Sequence, residues 1–269
     1  MEEKTSTKEF KNFCSDFLKN SCEEKTIKLT VLTGYNLSGA TKLKGEDYYS
    51  EIINCVAFID DKNQVVNNKI SFIYYMNNKK PLKVIKTQNV CVYKIKCKKV
   101  KDKDFYYLLK IKKSKDKRFD SLIEELNKPI TMAVDGVMFV YDKVLERYDA
   151  KYNVGDKKVY ISLEPENEID APKSINTFKK INADIISFYI DIARKCSKEV
   201  ANLANEWETN GQKITESEVV DRITKGSIAI DIAGNDISVY FDDDDMFLGH
   251  TIIYYGNINN DKFNIDIAG

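Results

Sequence analysis

One histidine, one tryptophan, four prolines and eleven glycines are spread over 269 residues. Each scarcity closes off a class of chemistry. A single imidazole, His250, cannot complete a zinc site of the finger type, and the six cysteines contain no CxxC pair. The glycines are few and scattered, and no Walker-type phosphate loop occurs. Neither GxSxG nor HExxH is present, so the common nucleophilic and metalloprotease machinery is missing. No window approaches the run of about eighteen apolar residues that a membrane-spanning helix needs. The opening "MEEKTSTKEF" lacks a basic segment followed by an apolar one, so no secretory signal is expected. A cytoplasmic protein with reduced, structural cysteines is the reading that follows.

What is present is a globular balance, 43% apolar against 31% charged residues. The net charge of zero conceals a split. Residues 1–128 carry 27 Lys+Arg against 17 Asp+Glu, whereas residues 129–269 carry 15 against 25. Such asymmetry predicts two units with different surfaces, a basic 1–128 and an acidic 129–269.

In the first unit, Phe10, Phe13, Phe17 and Leu18 stand at helical spacing, with Thr5 or Ser6 as a cap. Alternating runs separated by Asn, Asp, Gly and Pro follow, and "NVCVYKIKCKKVKDKDFYYLLKIKK" predicts a hairpin. The helix "FDSLIEELN" closes this β-rich, barrel-like domain before Pro129. In the second unit, "NVGDKK" predicts a hairpin turn and "NEIDAPKS" a polar linker. One long helix is expected from about Asn176 to Trp207, because Phe178, Ile181, Ile185, Tyr189, Ile192, Cys196, Val200 and Leu203 form one stripe. Thr215 and Glu218 have capping-box spacing. Four strands, "SIAIDIAG", "DISVYF", "HTIIYYG" and "KFNIDIA", end the chain as a meander. The fold class expected is α+β, with a barrel-like domain ahead of an antiparallel sheet packed on the long helix.

Chemistry has few places to sit. "FDDDDMFLGH", residues 241–250, sets four aspartates ahead of the sole histidine. Asp242, Asp244, Asp245 and His250 are therefore the candidate metal, binding or acid–base residues. Counted from Asp242, the sixth position is Phe247 and the twelfth Ile253, so the stretch is not an EF-hand. Asp231 or Asp266 could join only if neighbouring strand ends lie close. The competing reading is a solvated hairpin tip. No cofactor is expected, a divalent cation being the one alternative. A second candidate region, Lys79 to Arg118, interleaves lysines with aromatics, as single-strand binders do. Lys94, Lys96, Lys98 and Tyr106 are its candidate nucleic-acid contacts. Lysines also keep sheet edges from pairing with one another, which is the plainer account of them.

The second half resembles a bacterial family known as domain of unknown function 2262, over roughly residues 130–269. The resemblance rests on "DGVMFVYDKVLERYDAKY", the "ANEW" ending the long helix, "ITESEVVDRI" and "SIAIDIAGNDISVYFDDDDMFLGH". Its more specific elements are Phe247-Leu248-Gly249-His250 and Trp207. The first half is similar to a β-rich domain found ahead of that family. The resemblance implies an α+β fold and supplies no activity, while drawing attention to His250. Bacterial immunity proteins paired with toxins are comparable by analogy. The function expected is thus contact with a protein partner, a basic one given the acidic second half. A metal-dependent or acid–base enzyme at Asp242–His250 and nucleic-acid binding by the basic half are the alternatives.

Overall fold

The computed structural model describes residues 7–35, 41–42, 48–77, 90–164, 171–207 and 213–269. Thr5, Ser6 and the part of the basic stretch from Lys79 to Asn89 lie outside the described residues. The chain divides into two compact units, Met1–Lys128 and Pro129–Gly269.

The first unit is a barrel. After helix α1 (Thr7–Asn20) come strands β1 (Cys22–Thr33), β2 (Thr41–Lys42), β3 (Tyr49–Ile59), β4 (Val65–Val66), β5 (Ile70–Met76), β6 (Val92–Val100) and β7 (Tyr106–Lys113). Five of them close a ring in the order β1-β6-β7-β5-β3, and β3 pairs back onto β1. Only the short β5–β7 pairing is parallel. Alternation explains the inside: Val31, Ile53, Cys55, Phe72, Tyr93, Ile95, Cys97 and Leu108 fill the barrel. Outside, Phe17 and Leu18 of α1 cover Ile73 and Tyr107. Helix α2 (Asp120–Asn127), entered through a 3-10 turn at Lys117–Phe119, covers Leu32 and Val92.

The second unit is one eight-stranded sheet with helices on one face. Strands β8 (Thr131–Val134), β9 (Val137–Asp142), β10 (Arg147–Val154) and β11 (Lys157–Leu163) form an antiparallel meander. Helices α3 (Ala171–Asn182), α4 (Ile185–Trp207) and α5 (Glu216–Ile223) follow. A second antiparallel meander then runs through β12 (Ile228–Ala233), β13 (Asp236–Asp242), β14 (Thr251–Asn257) and β15 (Phe263–Ala268). The two meanders join through β11 and β12, which pair in parallel, so the sheet is mixed where an antiparallel one was expected. The helical crossover between these strands is the cause: it returns the chain to the end at which β11 began.

The helical stripe also needs correction. The expected single helix over 176–207 is two helices, and the "APKS" of the predicted linker is the first turn of α3. Asp184 breaks the run by capping α4, its Oδ1 accepting from the Ser187 amide at 3.1 Å. The apolar stripe stays in phase across the break, since Phe178, Ile181, Ile185 and Tyr189 all reach one core. The capping box of α5 is formed in full by Thr215 and Glu218. Asn205 of α4 pins the approach to α5, accepting from the Ile214 amide at 2.7 Å and donating to its carbonyl at 3.0 Å. Among the described residues, no helix is long and apolar enough to cross a membrane.

Candidate functional site

The acidic loop joins β13 to β14 and is folded upon itself. Asp243 is 3% exposed, and its carboxylate accepts from three backbone amides: Asp245 at 3.2 Å, Phe247 at 2.7 Å and Gly249 at 3.0 Å. Asp242 Oδ1 accepts from the Asp244 amide at 2.9 Å. The chain turns through left-handed backbone at Asp244, Asp245, Leu248 and Gly249, a region aspartate tolerates better than most side chains. Arg222 of α5 donates from Nε to Asp244 at 3.1 Å and also bonds its carbonyl. Lys225 reaches the same carboxylate at 3.2 Å. The Lys225 hydrogen bond, followed by that of Arg222, holds the Asp244 carboxyl below its usual pKa range.

His250 is held from several sides. Its Nδ1 lies 2.5 Å from the Phe247 carbonyl. A carbonyl only accepts, so Nδ1 carries the proton there. The Trp207 ring, the last residue of α4, stands edge-on to His250 at 5.6 Å and to buried Phe247 at 5.4 Å. The backbone of Gly269 lies so close that a Cβ there would sit 2.4 Å from His250 Cδ2. The structure thus brings His250 to Trp207 and Asp244 to Arg222, and it leaves Asp242 and Asp245 exposed. Among the described residues, no three His, Cys, Asp or Glu side chains are placed to hold a metal ion.

A different cluster lies on the sheet face opposite the helices. Reading across the strands, Val140, Asp149, Ser162, Asp231, Ser238, Tyr255 and Asn264 stand in one register row. One step along, the Tyr240 hydroxyl donates to Asp231 Oδ2 at 2.7 Å. Arg147 bridges Asp149, 3.0 Å from its Nε, and Glu164, 2.8 Å from Nη1. Burial raises the Asp231 carboxyl, the Tyr240 hydrogen bond opposing it. Burial and the Asp231 carboxylate raise the Tyr240 hydroxyl. A cleft of about 440 Å³ opens on this face, lined by Glu164, Asp231, Asp236 and Tyr255 among others. Sequence reasoning touched Asp231 only as a possible recruit to the acidic loop and missed Arg147, Glu164 and Tyr240. Asp266, the other recruit, stands exposed on β15 opposite Ile253. The only signal was strand parity, since Asp231 falls on the wet side of "IAIDIA".

The basic candidates lie on the barrel. Lys94 and Lys96 point outward from β6 and are exposed. Lys98, half-buried, stands opposite Thr26 and Tyr107. Tyr106 is not among them: its ring packs at 5.8 Å from Phe72 of the barrel interior, with Lys99 Nζ 4.7 Å above it.

No curated protein matches the chain. Residues 137–267 match the family model described as an uncharacterised protein conserved in bacteria, DUF2262. That match begins at the first residue of β9, the second strand of the eight-stranded sheet, and takes in the three helices, the acidic loop and all but the end of β15. The unit that carries the Asp243 loop and the Asp231 cleft is therefore the part of the chain that matches the DUF2262 family.

Proposed function

We propose that this protein acts by binding a protein partner on the face of the eight-stranded sheet opposite its helices. The observation that carries the reading is the make-up of that face. Met138, Val140, Tyr160 and Tyr255 are exposed on it, at 57%, 47%, 37% and 41%. Clustered exposed apolar groups mark contact surfaces, and tyrosine and methionine are enriched where proteins meet. The cleft beside Tyr255 is lined by the carboxylates of Glu164, Asp231 and Asp236 with Lys262 as the one cation among the described residues that line it, so it suits a basic group of the partner. An immunity-like inhibitor covering a basic patch on a toxin is one concrete form. The test is capture from a bacterial extract, followed by titration of the purified partner. Tyr160→Ala with Tyr255→Ala should weaken binding at least tenfold, and Asp236→Asn should lower its salt dependence. Equal affinity for both variants and the parent would remove the reading.

A second reading, acid–base chemistry, is favoured by the raised Asp231 carboxyl hydrogen-bonded to Tyr240 in the same cleft. It places the chemistry at Asp231, away from the Asp242–His250 loop. Turnover of any substrate that is abolished in Asp231→Asn would support it.

A further inference from the structure

We infer that the outer face of β1, β6 and β7 binds the phosphate backbone of a nucleic-acid strand. Strand register builds this face. Lys28 of β1 stands opposite Lys96 of β6, which stands opposite Lys110 of β7. In the next outward row, Thr30 faces Lys94, which faces Lys112. Five ammonium groups thus occupy two rows of three neighbouring strands, with side chains on facing positions about 5 Å apart at Cβ. Like charges directly opposite one another destabilise a sheet. An arrangement serving the fold alone would interleave carboxylates or threonines, and here only Thr30 does so. Among the described residues, none of the five lysines forms an ion pair with a carboxylate.

A cleft of about 400 Å³ opens on the same face. Besides the lysines it is lined by Arg118, whose guanidinium is fixed by Asp116 at 2.8 and 2.6 Å and by the Asn63 side chain. The carboxylate of Asp60, also on its wall, accepts from the Gln64 amide at 2.8 Å. Both nearby carboxylates are therefore engaged, and the surplus positive charge faces outward.

The chemistry of this face selects among anions. Successive outward rows on a strand lie about 7 Å apart, so charges recur along two directions and suit a chain of anionic groups better than a single one. Among the described residues no exposed aromatic ring lies between the lysines, so the strand is gripped by its phosphates and not by base stacking on this face.

The test is fluorescence anisotropy with a labelled single-stranded 20-mer and the full chain, between 50 and 200 mM salt. With five lysine contacts, the slope of log K on log salt should lie near −3.5, about a hundred-fold loss over that range. Lys96→Gln and Lys110→Gln should each reduce the slope by about 0.7, whereas Lys101→Gln and Lys103→Gln, at the β6–β7 turn, should leave it unchanged. Thermal unfolding separates binding from folding, because Lys96→Gln removes repulsion from both neighbours and should raise Tm. Three results would overturn the inference: no binding at 50 mM salt, equal losses in the turn variants, or binding to anionic phospholipid vesicles without binding to the oligonucleotide.

Discussion

The carboxylate of Asp243 accepts from the amide of Phe247 at 2.7 Å, and that one bond lies at the centre of the acidic loop. Of the four consecutive aspartates, Asp243 is turned inward, where it replaces water for three amides. Phe247 is thereby seated in the core, where burying such a ring stabilises by about 1.5–3 kcal/mol. The ring then forms part of the floor for Trp207.

Asp243→Ala leaves those amides without their acceptor. It should destabilise the unit by about 2–4 kcal/mol, and Asp243→Asn by about half as much. Trp207 is the only tryptophan and stands against Phe247 and His250. Urea titration followed by its fluorescence therefore reports this unit selectively. An unchanged midpoint in Asp243→Ala would contradict the assignment.

Divalent ions test the loop separately. The carboxylates of Asp243 and Asp244 already have protein partners, so chelator treatment and addition of calcium, magnesium, manganese or zinc should leave the Tm unchanged. A ligand at about a hundred times its dissociation constant adds about 2.7 kcal/mol. A shift of several degrees with one ion, lost in Asp244→Asn, would restore a metal site.

Acid titration should show two carboxyls of opposite sign. Asp244 has a lowered pKa, so its contribution to stability is present above the ordinary carboxylate value and is lost as pH falls through the folded one. Asp231 has a raised pKa, so its protonated form favours the fold and its support is lost as pH rises from about 4 through the folded value. Asp231→Asn should consequently raise stability at pH 7 and have little effect at pH 3, while Asp244→Asn should do the reverse, lowering it at pH 7. Unfolding curves of both variants across pH 3–8 check the pair of signs.

Thiol labelling gives a further check. Five cysteines are buried and Cys14 alone is partly exposed. Burial pushes the Cys97 and Cys196 thiols up to about 12, where almost no thiolate exists at pH 8. A thiol reagent at pH 8 should modify at most Cys14 quickly in the native chain and all six cysteines after denaturation. Fast reaction at Cys97 or Cys196 would show that their surroundings open readily.

Local patterns were legible. "NVGDKK" turns between β10 and β11, the Thr215–Glu218 box starts α5, and the lysine alternation of "YKIKCKK" shows which side of β6 is wet. Other features were not. The break at Asp184 leaves the apolar stripe in phase, so periodicity passes over it. The inward turn of Asp243 is invisible because four identical side chains carry no parity. Tyr106 looked like a partner of the lysines, but the register shift between Lys96 and Cys97 puts it on the inner side of the barrel.

Away from the β6–β7 register shift and the acidic loop, the sequence by itself determined which residues turn to water and which to the core along the strands and helices, because side-chain period is a local property of the backbone. Tertiary structure alone decided who stands beside whom. It closed β3 onto β1, set Lys28, Lys96 and Lys110 in line, and laid β12 parallel to β11 with Asp231 next to Ser162. Those neighbours come from strand order and register, which depend on the collapse of residues distant in the chain. Both candidate surfaces of this protein are products of that second kind of information.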